Sequence, residues 1–257
     1  MTTAQPQRVF VFDLDDMLIW TSKAYSRAFI TFYEYLDNLW DGRLLEVRTL
    51  GTISENIDLD LMEKINPDTG QVYGYSMHRF PESLVRTYHW LIDENHTNEA
   101  YSELVERQVR AIGYKAFDPA IYKEQGIVPG GIATLDFIRD TGDILILVTK
   151  GETIVQDNKI IELSLDEWFG EDIETVRTKD ADTFRTIQDR FPECRVYSVG
   201  NSYKSDMLPA IEAGIEGIYV PYYTWLGEKA ETKVDTKRVI VVQQIGDIIA
   251  LIQTGRI

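Results

Sequence analysis

The run Val9-Phe10-Val11-Phe12-Asp13-Leu14-Asp15-Asp16-Met17-Leu18 constrains this chain more than any other stretch. Residues Arg8 to Phe12 read as a buried strand that runs directly into carboxylates. A strand that ends on an Asp, with a second Asp two residues later, is costly as pure structure. Like charges that close raise each other's pKa unless a cation or hydrogen bonds intervene. The plain structural alternative is a solvated acidic turn. The chemical one is a metal ion beside a phosphate-handling site.

The chain has 257 residues, enough for one large domain or two smaller ones with a sizeable core. Its formal net charge of −16 argues against non-specific nucleic-acid binding, which needs a basic surface. An anionic substrate would therefore need a locally built site, and a divalent cation suits that purpose. Cys194 is the only cysteine, so no internal disulfide can form and the cytosol is favoured. No apolar run approaches a membrane span, and residues 1–8 carry no charged-then-apolar leader pattern. The expectation is a cytoplasmic protein with no nucleic-acid or membrane partner, its oligomeric state open.

Apolar β-branched runs recur at Arg8–Phe12, Ile144–Val148, Arg195–Val199, Gly217–Val220 and Val239–Val242, with a weaker one at Ile173–Val176. Continuous runs of this kind suit a parallel sheet covered on both faces. Ile132–Thr141, Ile154–Leu163, Ala181–Phe191, Asp206–Ala213 and Ile245–Ile252 read as helices between them, with Gly214 a stop. This alternation predicts an α/β fold with a Rossmann-like, doubly wound, mostly parallel sheet. The stretch from about Leu18 to Gln125 differs: it is aromatic and charged at helical spacing, without a convincing strand. Thr21–Leu39, Pro81–Glu94 and Asn98–Gly113 read as amphipathic helices, and Asn66-Pro67-Asp68-Thr69-Gly70 as a loop. The predicted division is 1–18 and 126–257 for an α/β core, and 19–125 for a helical domain inserted after the first strand. Ligands of open parallel sheets bind beyond the carboxyl ends of the strands, so the insert is expected to serve as a cap.

Four pieces fall at predicted strand ends. These are Asp13 with Asp15, then Thr149, then Lys179, and the run Gly200-Asn201-Ser202-Tyr203-Lys204-Ser205-Asp206. Each has a bland alternative: Thr149 as a helix cap, Lys179 as a solvated lysine, Asp206 as a first-turn helix acid. Taken together, in this order, they resemble the haloacid dehalogenase (HAD) superfamily, specifically its phosphatase-like branch with a helical cap after the first strand. Asp13-Leu14-Asp15 matches the first motif, Thr149 the second, Lys179 the third, and Gly200-Asn201 with Ser205-Asp206 the fourth. Val148-Thr149-Lys150-Gly151, the stretch Gln156 to Phe169, and Pro209-Ala210 leading to Gly214 also look like that branch.

The resemblance implies a Mg²⁺-dependent phosphatase acting on a small phosphorylated metabolite. Asp13 would attack phosphorus and form an aspartyl-phosphate. Asp15 would protonate the leaving oxygen and then deprotonate the hydrolytic water. Asp13, the Asp15 carbonyl and Asp206 would hold Mg²⁺, with Asn201 as a further ligand through its amide oxygen or a water. Thr149 and Lys150 would bind the phosphoryl group, and Lys179 would pair with Asp13 and the phosphate. Two positions depart from the usual pattern: Asn201, where many members carry Asp, and Met17, often Thr or Val. The first implies weaker Mg²⁺ binding and the second a shifted Asp15, which keeps a catalytically weak binding protein among the alternatives. A haloacid dehalogenase is the other; such enzymes usually lack the second Asp.

In the insert, Met77-His78-Arg79-Phe80-Pro81 stands out. Arg79 could clamp a second anionic group of the substrate, or simply pair with a neighbouring carboxylate. His78, His89 and His96 lack metal-ligand spacing. The aromatics Phe29, Phe32, Tyr33, Tyr35 and Trp40 suit packing of the insert. Tyr222-Tyr223-Thr224-Trp225 could line a cleft or pack as a surface loop.

Overall fold

The computed structural model describes residues 7–222 and 236–257. Six short strands form one sheet: β1 (Arg8–Phe12), β2 (Ile144–Lys150), β3 (Ile173–Val176), β4 (Arg195–Gly200), β5 (Glu216–Tyr219) and β6 (Val239–Val241). Their order is β3-β2-β1-β4-β5-β6, and every pairing is parallel. β1 lies between β2 and β4, with Val9 opposite Ile144 on one side and Val196 on the other. The order therefore reverses at β1, and the crevice beside its carboxyl end is where doubly wound sheets bind ligands.

The chain leaves β1 and forms α1 (Thr21–Leu39), α2 (Val47–Leu61), α3 (Arg79–Asp93) and α4 (Glu103–Tyr114) before α5 (Pro119–Gln125). The molecule divides into two compact units. One is Thr21–Ile121; the other ends its first segment at Trp20 and resumes at Tyr122. Within the helical unit, α1 buries Ala24, Ala28, Phe32 and Leu36, one stripe at helical spacing. Phe32, Leu36 and Trp40 pack with Leu50, Leu84, Tyr88, Leu91, Val109 and Ile112, so the aromatic-rich segment serves as core. α3 and α4 approach closely because Gly113 has no side chain: a Cβ there would lie 2.6 Å from the Pro81 Cα. Ser102 caps α4 by accepting from the Val105 N–H, with Glu103 and Glu106 in the first turn.

In the sheet-bearing unit, α6 (Gly131–Asp140), α7 (Thr153–Glu162), α8 (Asp166–Phe169), α9 (Ala181–Arg190), α10 (Leu208–Glu212) and α11 (Asp247–Gln253) alternate with the strands. Val9, Phe10, Val11 and Phe12 are all buried, which explains why β1 lacks the alternation of a half-exposed strand. Val9, Val11, Ile146 and Val148 pack against Phe184, Ile187 and Ala210 from α9 and α10. Side chains alternate between faces; on the other face Phe10 stacks on Tyr197 and Phe12 meets the edge of Phe169 from α8.

Several elements differ from the sequence reading. α2, α5 and α8 have no counterpart in it. β2 extends through Thr149 and Lys150, which pair with Thr175 and Val176 of β3. The helix expected over Asp206–Ala213 is instead a π-type turn, Tyr203–Met207, followed by α10. The Asp206 and Met207 N–H groups both point to the Ser202 carbonyl, and the wider turn sets Asp206 apart from the helix proper.

Candidate active site

The parallel ladder continues one residue past β1: the Asp13 N–H donates to the Val199 carbonyl at 2.9 Å. This fixes the Asp13 backbone at the sheet edge between β1 and β4. The chain then folds into a tight loop in which the N–H groups of Leu18 and Ile19 both return to the Leu14 carbonyl. Asp16 takes a left-handed conformation, φ 57°, and its N–H donates to the Ile19 carbonyl. Met17, within this loop, is buried.

Asp206 is held through both its side chain and its backbone. Its Oδ2 accepts from the Ser202 N–H at 3.0 Å, and its carbonyl accepts from Ser198 Oγ at 2.9 Å. The Ser202 hydroxyl in turn caps the π-type turn by accepting from the Ser205 N–H. Gly200 is required here, since a Cβ at that position would overlap the Asp206 carboxylate. Asn201, buried, sits between Gly200 and the Ser202 cap.

Lys179, in the segment between β3 and α9, joins the two acids. Its ammonium donates to Asp13 Oδ1 in a very short contact and to Asp206 Oδ1 at 2.8 Å. The three side chains are almost completely enclosed: 3% exposed for Lys179, 2% for Asp206 and 12% for Asp13. Burial pushes the Asp13 carboxyl up to about 7; Lys179 opposes that rise, while Asp206 and Asp15 add to it. Burial disfavours the Lys179 charge, but Asp13 and Asp206 outweigh it and hold its pKa above the ordinary lysine value.

Thr149 is fully buried at the end of β2, and its hydroxyl has no hydrogen-bond partner among the described residues. Buried hydroxyls are nearly always satisfied, so an orphan at a sheet's carboxyl edge marks a place suited to a bound group. The neighbouring Lys150 ammonium donates to Ser205 Oγ at 2.7 Å, tying the end of β2 to the turn that carries Asp206. Asp15 is bound through both oxygens, to Lys159 Nζ at 2.6 Å and Gln156 Nε2 at 2.9 Å. The sequence reading gives neither α7 residue a role. A faint signal exists in outline: Gln156 and Lys159 are spaced three apart, one helix face, just after Thr149.

Asp13, Lys179 and Asp206 thus form one cluster, and Asp15, Thr149, Lys150 and Asn201 occupy the ends of β1, β2 and β4. Arg79 belongs to the helical unit. Its guanidinium is buried there, donating to Asp58 Oδ1 at 3.0 Å and to the Gly74 carbonyl. The three histidines are also engaged: His78 with the Tyr114 hydroxyl, His89 with Glu106, and His96 stacked on Trp90. Tyr222 stacks on Trp20, while residues 223–225 of the aromatic run lie outside the described residues.

The cluster suits a small divalent cation. Two buried carboxylates share one ammonium, which leaves one negative charge without compensation. Among the described residues no group of three or more His, Cys, Asp or Glu side chains is disposed to hold a metal. Two carboxylates completed by carbonyl and water oxygens are a typical Mg²⁺ donor set and a poor one for structural Zn²⁺.

No protein-family profile and no curated protein matches this chain. Solved structures do. A haloacid dehalogenase-like family hydrolase from Xanthomonas campestris is 20% identical, with a TM-score of 0.64 over 99% of this chain and 100% of that one. The HAD-hydrolase YfnB from Bacillus subtilis, bound to magnesium, is 16% identical, with a TM-score of 0.58 over 96% and 99%. An L-2-haloacid dehalogenase from Xanthobacter autotrophicus, with chloropropionic acid covalently bound, is 12% identical, with a TM-score of 0.58 over 96% and 98%. The chain has the fold of the HAD-like hydrolases. No described helix is long and apolar enough to cross a membrane.

Proposed function

We propose that this protein is a Mg²⁺-dependent phosphatase that hydrolyses a small phosphate monoester through an aspartyl-phosphate on Asp13. The observation that carries this reading is the Asp13–Lys179–Asp206 cluster at the reversal point of the sheet, with Asp15 two residues from the nucleophile. Asp13 and Asp206 would hold the metal together with the Asp15 carbonyl, and Asn201 lies in the same turn. When bound, the cation neutralises the buried carboxylates and the phosphoryl oxygens.

Asp13 attacks phosphorus as the bond to the leaving oxygen breaks, and Asp15 gives that oxygen its proton. A water then attacks the aspartyl-phosphate, the Asp13–phosphorus bond breaks, and Asp15 takes the water's proton. The orphan Thr149 hydroxyl donates to a phosphoryl oxygen. Lys179 keeps Asp13 oriented and balances charge as it moves to the transferring group. The helical unit, Thr21–Ile121, is the proposed cap and the source of substrate selectivity. Arg79 could take part there only by exchanging Asp58 for a substrate anion. A cytoplasmic setting belongs to the same proposal.

A dehalogenase reading is favoured by the dehalogenases among the solved structures of this fold. A halide leaves as a stable anion and needs no proton, so such an enzyme would have no leaving-group step for the doubly held Asp15. The test is phosphate release from a panel of phosphate esters, with Mg²⁺ or EDTA, for wild type and Asp13→Asn. Metal-dependent release by wild type alone supports the phosphatase. Metal-independent halide release from 2-chloropropionate, with no phosphate release, supports the dehalogenase.

A further inference from the structure

α7 turns two buried polar side chains toward Asp15, and the chemistry above assigns neither of them a task. Lys159 and Gln156 are each 2% exposed. A buried lysine is expensive unless it is paired, and Lys159 is paired with Asp15 Oδ1 at 2.6 Å, its ammonium 5.5 Å from the Tyr122 ring centroid. Charge neutralisation ends there. The arrangement goes further, because Gln156 Nε2 binds the other oxygen of the same carboxylate at 2.9 Å.

One donor on each oxygen fixes the carboxylate plane as well as its charge. The same Gln156 Nε2 also donates to the Lys150 carbonyl at 2.9 Å, so the Asp15 carboxylate is referenced to the backbone beside Thr149. Room for this contact is provided by Gly151, at φ 156°, where a Cβ would lie 2.6 Å from Gln156 Nε2. Sequence separations of 141 and 144 residues show that the clamp is tertiary and not a local accident of the loop.

We infer that Lys159 and Gln156 are positioning residues that hold the Asp15 carboxylate in register with the phosphate-binding end of β2. The inference rests on the phosphatase reading. A misplaced Asp15 harms only those steps in which it moves a proton. Cleavage of an alkyl phosphate needs a proton on the leaving oxygen, whereas p-nitrophenolate leaves without one.

The experiment compares ethyl phosphate with p-nitrophenyl phosphate, in Mg²⁺, for wild type, Lys159→Met, Lys159→Arg and Gln156→Leu. A thermal-unfolding double-mutant cycle of Lys159→Met with Asp15→Asn accompanies it. For Lys159→Met we expect kcat/KM, which reports only the transfer of the phosphoryl group to Asp13, to fall by about tenfold more on ethyl phosphate than on p-nitrophenyl phosphate. Lys159→Arg should recover most of the loss, and the shifts in Tm should be non-additive. Gln156→Leu should show the same leaving-group dependence in weaker form, which keeps the test decisive if Lys159→Met folds poorly. Equal losses of kcat/KM on both esters, or none, overturn the positioning role. Wild-type protein that releases no phosphate from either ester overturns the phosphatase reading instead. The unfolding cycle needs no substrate and then still decides whether Lys159 holds Asp15: additive shifts refute the clamp, coupled shifts uphold it.

Discussion

An ion-pair network in the helical unit and the cluster at the edge of the sheet handle charge in opposite ways. In the helical unit, Glu82 serves Arg86 and Arg110, Glu106 serves Arg110 and His89, and Arg79 is matched by Asp58. Each of these charges has a partner of opposite sign, and Arg110 remains 36% exposed. At the edge of the sheet, one enclosed lysine faces two enclosed acids. The first arrangement is complete as it stands. The second is short by one positive charge, and its neighbour Thr149 is short by one hydrogen-bond partner. Stability alone would favour correcting both deficits, and the proposed cation and phosphate would correct both.

Breaking the unbalanced cluster should have the largest effects. Asp13→Asn should lower the rate of phosphate release by at least about 10³-fold, as removal of a nucleophile does, measured as kcat on the best ester found. Glu82→Gln, in the helical unit's network, should leave that rate in place. Lys179→Met strands Asp13 and Asp206 without a cation and should cost about 3–5 kcal/mol in metal-free urea unfolding. A smaller loss would mean that the two carboxylates do not depend on Lys179.

Supplying the missing charge should reverse part of the imbalance. Mg²⁺ at about a hundred times its Kd should stabilise the fold by about 2.7 kcal/mol, and Asp206→Asn should abolish that gain in thermal unfolding. Asp13 ionises at 3.8 in its ordinary state and at about 7 in the fold. Between those values the native protein binds the extra proton, so the contribution of Asp13 to metal-free stability is full below about pH 4. It is lost as pH rises through 7. Asp13→Asn should remove this part of the slope, and an unchanged profile would refute the raised pKa. Smallest of all, Arg86→Ala in the helical unit should cost only about 0.5 kcal/mol, because its partner Glu82 lies four residues away on a partly exposed helix face.

Much of the architecture was legible because continuous β-branched runs can be buried on both faces only in a covered sheet. β1 and β3 begin and end where the sequence placed them, and the other strands differ by a residue or two. α2 escaped because its inward stripe is blurred: Ser54 is buried between Leu50 and Leu61, and Gly51 weakens the helical preference. The turn at Tyr203–Met207 escaped for another reason. Its ordinary helical composition does not distinguish four-residue from five-residue hydrogen bonds; the choice follows from Gly200, Ser198 and Ser202 gathering Asp206 inward.

The same division runs through the site. The order Asp13, Asp15, Thr149, Lys179, Asp206 is a property of the chain, and with the strand pattern it determined which residues stand at the carboxyl ends of the strands. Which charge meets which was decided only by folding. Lys179 could as well have been solvated, and Arg79 could have stood ready for a substrate in place of being bound to Asp58. Lys159 and Gln156 carried no more than a shared helix face until α7 was laid beside the loop after β1. Periodicity is local and can be read from neighbours, whereas ion pairs act over a few ångströms between residues more than a hundred positions apart. Only the packed sheet and helices bring those residues within that range.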